Sequence, residues 1–338
     1  PNWPRLPRPI RNRPKRQARL RAFGVQFFFG AILGSALGLA FWAVFFSADK
    51  SAAVCLRCLG GGALLGGLVA GIVQDERCTD LRYERSAAQA MKVDVTGMRG
   101  TVALVLAQAL RAGGGTVAPW DRSLHPIDSP AAVRDFIRGV QPDWFCHLAM
   151  GSPDWAGWAA EACAENGIPF LYVGSVSVYA AAQTGPFTPA DLPVPDDDYG
   201  RYKLECERRV LAAHPRAHVV RIGWQIGDRP GGNQMVDYLD RTHRAHGRID
   251  ASTRWFPGCS FLSDTADSLV RILRLPPGLY HLDGNPGLNF FEIAAGLNRR
   301  LGEPWTVVPV AGLVQNRRML DPRVSVAPMS RRLPGPRS

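Results

Sequence analysis

Tyr199 and Lys203 stand four residues apart in the run Tyr199-Gly200-Arg201-Tyr202-Lys203-Leu204. The composition and periodicity of YGRYKLECERRVL read as a helix, and at that spacing both side chains leave it on one face. A phenol with an ordinary pKa near ~10 is a weak acid–base group at neutral pH, but a neighbouring ammonium stabilises the phenolate and lowers that value. The pair is therefore a candidate proton donor. Taken alone it is also a common accident of exposed amphipathic helices, so its meaning rests on what the rest of the chain brings to it.

Lys92 to Thr96 is strand-like, Gly97 and Gly100 follow at the separation of a phosphate-binding turn, and Val102 to Arg111 continues as an amphipathic helix. Glycine lets the backbone bend sharply and approach a pyrophosphate, whose charge a helix N-terminus favours. Ala103 stands where a third glycine is usual, at a position that mainly governs helix packing. The alternation then continues. Thr116 to Trp120 reads as a second strand ending in Asp121 and Arg122, Ala131 to Gly139 as a helix, Trp144 to Ala149 as a third strand, Trp155 to Asn166 as a helix, and Pro169 to Gly174 as a fourth strand. Ser175 falls just past the carboxyl end of that strand, the edge at which open α/β sheets bind ligands.

The TGxxGxxA turn at Thr96 to Ala103, the His147-Leu148-Ala149 strand end, Ser175 and the Tyr199/Lys203 pair, in that order, resemble an extended short-chain dehydrogenase/reductase. DRS at Asp121 to Ser123, YGRYKLECE at Tyr199 to Glu207, VVRIGWQIG at Val219 to Gly227 and GLYHLDG at Gly278 to Gly284 are similar to the dTDP-4-dehydrorhamnose reductase branch. The resemblance spans about Met91 to Leu333. It implies that Tyr199 protonates a substrate carbonyl, that Lys203 lowers the pKa of Tyr199 and bonds the nicotinamide ribose, and that Ser175 hydrogen-bonds the same carbonyl. It further implies that Gly97, Met98, Arg99 and Gly100 hold the pyrophosphate, that Ala149 lines the cofactor, and that Asp121 and Arg122 meet the adenosine ribose. A carboxylate there suits NAD and an arginine suits NADP, so both cofactors stay open. Where this branch usually carries a Ser-Thr-Asp-Tyr-like run, the chain has Gly174-Ser175-Val176-Ser177; its third strand ends in HLAMGS, and the section from Gly227 to Pro257 is short.

The second half reads as a substrate lobe. Gly231 to His243 is expected to be a helix carrying Asn233, Gln234 and Tyr238, PGCSFLSDTADSLVRIL a loop feeding a helix, GLYHLDG a strand and Phe290 to Leu301 an amphipathic helix. Asn233, Ser260 and Arg318 are its candidate nucleotide- or sugar-binding residues, against the plainer alternative of capping and surface solvation.

Residues 1 to 21 carry eight Arg and Lys and no acidic residue. Ala22 to Phe46 is almost wholly apolar, and about 20 residues suffice to cross a bilayer. Cys58 to Val73 is a second, shorter apolar run. Gly30, Gly34 and Gly38, and again Gly67 and Gly71, recur every four residues, as in closely packed membrane helices. The sequence thus predicts a transmembrane hairpin with a cytoplasmic N-terminus, returning the remainder to the cytoplasm. A cleaved signal peptide fits less well, given the length of the run and the second one behind it. If residues 1–90 are instead a fused neighbour or a mis-set start, as MKVDVTG at Met91 allows, the remainder is a soluble cytoplasmic protein.

The net charge of +11 sits mostly in the basic arm. No recognition helix accompanies it, so a nucleic-acid partner is not expected and anionic lipid is the simpler attraction. Cys55 and Cys58 form one CxxC with no second pair, Cys78 stands alone, and Cys146, Cys163, Cys206 and Cys259 read as reduced, buried thiols. His243 and His246 lack a third ligand, and no metal is expected.

The expected fold is α/β: a Rossmann-like doubly wound parallel sheet with a smaller C-terminal substrate lobe, preceded by the two-helix hairpin. Its parts are a basic arm (1–21), the hairpin (22–73), a linker (74–90), an NAD(P)-binding Rossmann domain (91–227), the substrate-binding lobe (228–330) and a tail (331–338). The expected activity is NAD(P)H-dependent reduction of a 4-keto nucleotide sugar in deoxysugar or polysaccharide synthesis. An epimerase or dehydratase of the same fold and a non-catalytic sugar-nucleotide-binding protein are the alternatives; Ser175, Tyr199 and Lys203 together speak against the last. The nucleotide-sugar substrate and the membrane are the expected partners, with a homodimer as a candidate assembly.

Overall fold

The computed structural model describes residues 91–333. The basic arm, both apolar runs of the expected hairpin, the linker, Cys55, Cys58 and Cys78, and residues 334–338 lie outside them. Among the described residues no helix is long and apolar enough to cross a membrane.

Strand β1 (Lys92–Val95), helix α1 (Thr101–Ala112), β2 (Thr116–Pro119), α2 (Pro130–Val140), β3 (Trp144–His147), α3 (Pro153–Glu165), β4 (Phe170–Ser175), α4 (Asp198–Ala213) and β5 (His218–Ile222) follow in order. With β10 (Gly278–Leu282) these strands form one six-stranded sheet, ordered β2-β1-β3-β4-β5-β10 and parallel throughout. Alternation along β1 sends Val93 and Val95 to the face packed by α1 and α6 (Leu262–Ile272), through Leu106, Leu110, Leu269 and Ile272. Phe145 and Phe170 face the other way, toward Val133, Ile137, Trp155, Ala159 and Val210 of α2, α3 and α4. Both faces are covered, as a parallel sheet requires. Polar residues start the helices: Ser129 accepts from Ala132 N and Ser152 from Trp155 N, each followed by proline at the first helical position.

The remaining elements build the lobe: β6 (Trp224–Ile226), α5 (Met235–His246), β7 (Ile249–Ser252), β8 (Trp255–Phe256), β9 (Cys259–Phe261), α7 (Phe290–Arg300), β11 (Val307–Val310) and β12 (Gln315–Asn316). Three short parallel pairs, β6·β9, β7·β11 and β8·β12, frame a core of Met235, Leu239, Ile249, Phe261, Ile293 and Leu297.

Four expectations change in detail. The third strand stops at His147, because the amides of Leu148 and Ala149 are taken by the Thr96 hydroxyl instead of the ladder. The helix expected from Gly231 begins at Met235: Gly231 and Gly232 have φ of 126° and 74°, and Gln234 caps the helix through Val236 N. Cys259–Phe261, expected within a loop, is a strand paired to β6. The start of the expected tail is held in place, since Leu333 packs on Gly296 of α7 and Arg332 donates to Asp264 of α6 at 2.5 Å. Cys146, Cys163, Cys206 and Cys259 are free and buried.

One residue of the sheet opposes its surroundings. Asp94 is fully buried in β1, and neither carboxylate oxygen has a hydrogen-bond partner. Burial raises its pKa from 3.8 to about 8, with Lys92 pulling the other way. A carboxyl held protonated in the folded chain contributes stability that is complete below the unfolded value and lost as pH rises toward 8. Asp94→Val is therefore expected to flatten that decline and to be more stable by about 1–3 kcal/mol at pH 8. Urea unfolding of both proteins at pH 5 and pH 8 checks this; an equally steep decline in the variant would place the effect elsewhere.

Candidate active site

The order of the sheet reverses between β1 and β3, and one hydroxyl fixes the backbone there. Thr96, fully buried, accepts through Oγ1 from Leu148 N at 3.0 Å and Ala149 N at 3.1 Å, and lies 3.4 Å from His147 Nδ1. Gly97 follows at φ 81°, where a Cβ would stand 2.9 Å from Ala149 N. Only glycine fits that approach. Gly100 N closes the turn onto Gly97 O at 2.7 Å, and Gly100 then caps α1 without any side-chain bond. The first amides of α1 are thus left open at the positive end of the helix, which is the chemistry a dinucleotide pyrophosphate needs. Met98 packs against the α1–α6 core, Arg99 is exposed, and Ala103 is buried, so a methyl is accommodated where glycine is usual.

At the end of β2, Asp121 accepts from Ser123 N at 2.9 Å and Ser123 Oγ at 2.6 Å. The hydroxyl of Ser123 holds its carboxylate below the usual range, helped by the Ser123 amide and by the charge of Arg99. Arg122 donates to Met150 O and lies over the Trp155 ring, 4.8 Å from its centroid. Ala149, Asp121, Arg122 and Arg99 thus gather along one edge with the glycine turn.

Ser175 ends β4, and its Oγ accepts from Ser177 N at 3.1 Å within a single 3-10 turn, Val176–Val178. Helix α4 begins beside that turn. Its cap, Asp197, accepts from Gly200 N at 2.5 Å, and a Cβ on Gly200 would lie 2.1 Å from Ser177 O. The glycine next to Tyr199 is what lets the helix come this close. Tyr199 is 45% exposed. Burial of its ring raises the phenol pKa; the Ser175 hydroxyl pulls it back, and Asp197 pushes it up. Lys203 is buried, donates to Val173 O at 3.0 Å and lies 6.0 Å from the Tyr199 ring centroid. Desolvation lowers its pKa to about 8. Lys203 thus stands beside the Tyr199 ring with its ammonium held on a backbone carbonyl and its charged form disfavoured by burial.

The three substrate-side candidates do not converge. Asn233 lies in the exposed turn before α5. Ser260 is buried, and its hydroxyl accepts from Gly284 N at 2.9 Å. Arg318 bonds Asn316 Oδ1 at 3.2 Å and Pro286 O at 3.3 Å and lies over Phe256. Its neighbour Arg317 points to the catalytic turn instead, donating to Val176 O at 3.2 Å. Trp224 opens β6 half-buried, edge-on to Tyr238 with centroids 5.2 Å apart and 6.1 Å from Trp255.

Residues 155–330, just over half of the chain, match the family described as RmlD substrate binding domain. The chain belongs to that family. It is 29% identical over 221 residues to the dTDP-4-dehydrorhamnose reductase of Mycolicibacterium smegmatis, covering 60% of this chain and 67% of that one. It is 32% identical over 210 residues to the enzyme of the same name from Mycobacterium tuberculosis, covering 55% and 67%. The fold is shared with a dTDP-4-dehydrorhamnose reductase from Bacillus anthracis solved in complex with NADP, at a TM-score of 0.60, 19% identity and coverage of 68% and 90%.

Reading the sequence for chemistry missed Thr96 as a strap, Gly200 as a spacer, and Glu207 and Arg221, which pair in the interior. Signals for the last two were present: Glu207 extends the four-residue spacing of Tyr199 and Lys203, and Arg221 is a charge inside the apolar run VVRIGW. Gly97→Ala is expected to destabilise the fold by about 1–3 kcal/mol, since it forces a side chain into a left-handed conformation against the Ala149 backbone. It should also weaken NADPH binding, because the turn can no longer present its amides. Thermal unfolding and calorimetric titration read the two effects, and undiminished affinity would remove the turn from the cofactor site.

Proposed function

We propose that the chain is an NAD(P)H-dependent reductase of a 4-keto nucleotide sugar, working in deoxysugar or polysaccharide synthesis. The observation that carries this reading is the meeting of Ser175, Tyr199 and Lys203 at the carboxyl edge of the sheet that also bears the Gly97–Gly100 turn. The sugar class comes from the reductases named above.

A dinucleotide held at the glycine turn would supply hydride to the carbonyl carbon. Tyr199 then acts as the acid: its raised pKa keeps the phenol protonated at neutral pH, ready to donate to the oxygen as negative charge develops there. Ser175 offers a second hydrogen bond to the same oxygen. Lys203 would bond the nicotinamide ribose and stabilise the phenolate left behind, a role that requires its positive charge.

Stoichiometric loss of NADPH absorbance with a panel of nucleotide 4-ketosugars tests the reading, since an epimerase or dehydratase regenerates its own cofactor and gives no net loss. Tyr199→Phe should lower turnover by about 10²- to 10⁴-fold while leaving cofactor affinity nearly intact. In the wild type, kcat/KM should fall as pH rises through about 8, where Lys203 of the free enzyme loses its proton. Lys203→Arg should move that limb upward. A full rate in Tyr199→Phe, or a flat profile to pH 9.5, would defeat these assignments.

The edge favours NADPH. Asp121, the group that would bond free ribose hydroxyls, already accepts twice through Oδ1 from Ser123, whereas Arg99 brings a positive charge beside it and Arg122 follows it in sequence, held on Met150 O and over Trp155. Arg122→Ala is therefore expected to weaken NADPH by about tenfold or more and to change NADH little, in keeping with charge-assisted phosphate bonds. Titrating both cofactors into Arg122→Ala and Asp121→Ala decides it; equal losses for the two cofactors would remove the preference.

A further inference from the structure

Strand β5 is buried along its whole length, yet it carries Arg221, which is 1% exposed. Its guanidinium uses three nitrogens. Nε and Nη2 donate to Glu207 Oε2 at 3.1 Å and Oε1 at 2.6 Å, and Nη1 donates to the Tyr179 hydroxyl at 2.7 Å. Tyr179 is held in turn. Its ring stacks on Phe187 with centroids 4.0 Å apart, and its oxygen lies 3.2 Å from His281 Nε2. His281 Nδ1 sits 3.1 Å from Phe187 O, and the Tyr179 hydroxyl donates to Thr188 O at 3.3 Å.

The two partners of Arg221 belong to the two halves of the catalytic constellation. Glu207 lies on α4, one turn beyond Lys203 and two beyond Tyr199. Tyr179 closes the 3-10 turn that Ser175 opens, its own amide bonded to Val176 O at 3.1 Å. Gly174, just before Ser175, leaves room for the pair: a Cβ there would sit 3.3 Å from Arg221 Cγ. Replacing a buried ion pair by apolar groups of similar volume is often neutral or favourable for stability, so stability alone is a weak reason for this one. A lysine lacks the planar fork that reaches both partners at once.

We propose that Arg221 is a positioning residue: one guanidinium sets the Ser175 turn, through Tyr179, against the helix that presents Tyr199 and Lys203, through Glu207. The inference deepens the reductase reading given above and rests on it for the meaning of turnover. Its geometric content, the register of Ser175 against Tyr199, can be read without turnover.

Two variants of the full chain test it. Tyr179→Phe keeps the stacked ring and removes the hydroxyl through which Arg221 reaches the turn, together with that hydroxyl's contacts to Thr188 O and His281. The double variant Glu207→Met, Arg221→Met removes both charges at similar volume. Each is compared with wild type for unfolding midpoint, for kcat and KM, and for the pH titration of Tyr199, followed by fluorine NMR of 3-fluorotyrosine-labelled protein and assigned through Tyr199→Phe. Both variants are expected to unfold cooperatively near the wild-type midpoint. Both should lose about tenfold or more in kcat with KM little changed, as a displaced reacting group does. The Tyr199 signal should titrate at higher pH in both, because the Ser175 hydroxyl no longer supports the phenolate. A folded double variant with wild-type kcat and wild-type Tyr199 titration would overturn the proposal, leaving the pair a packing device. Should the double variant not fold, Tyr179→Phe decides alone by the same measures. If the wild type turns over no ketosugar, the functional reading fails, while the fluorine titration still decides whether Arg221 positions Ser175.

Discussion

The Thr96 hydroxyl accepts two successive amides of the segment leaving β3, and position 97 then has no room for a side chain between the two backbones. In a parallel sheet covered on both faces, the place where strand order reverses is the one edge at which a polar ligand can reach open backbone amides. The strap and the glycine together set how wide that opening is. What is placed around it, the exposed start of α1, Arg99 in the turn and Arg122 after β2, depends on those two backbones holding their separation.

A second close approach serves the chemistry. Gly200 lets the first turn of α4 settle on the carbonyl of Ser177, and the capping carboxylate of Asp197 holds that turn in place. The side chains that matter are thus carried on a strand end and a helix start, two rigid elements whose spacing is set by backbone contact. Arg317, in the loop after β12, reaches over to Val176 O. Such sites keep their geometry better than sites assembled from loops.

The fold was legible in the sequence because its signals are local. Strand, glycine turn and helix at residues 92–112 declare themselves by periodicity and by glycine spacing, and the catalytic pair lies within a single helical turn. The errors fell where a tertiary partner decides. His147 ends its strand because of a hydroxyl 51 residues away, and Met235 rather than Gly231 starts a helix because Gln234 bonds Gly227 N as well as its own turn. Ser260 and Arg318 have the right polarity for a ligand, but their hydrogen bonds are made within the lobe. The neighbour Arg317 turns toward the 3-10 turn after Ser175 instead, a difference of one position that no pattern of residue types encodes. Asp94 is the reverse case, a carboxyl whose surroundings read as an ordinary strand and whose isolation appears only in three dimensions.

The burial of Lys203 has a thermodynamic consequence for ligand uptake. With a pKa near 8, its amine is only partly charged in mildly alkaline solution. An anionic dinucleotide bound beside it would favour the charged form, so association would draw a proton from the medium, most of all between the free and bound pKa values. Part of any heat measured on association then belongs to the buffer that gives up the proton. Enthalpies taken in phosphate and in Tris would differ by the gap in their ionisation heats multiplied by that fractional proton, while the free energy of association at a given pH stays the same.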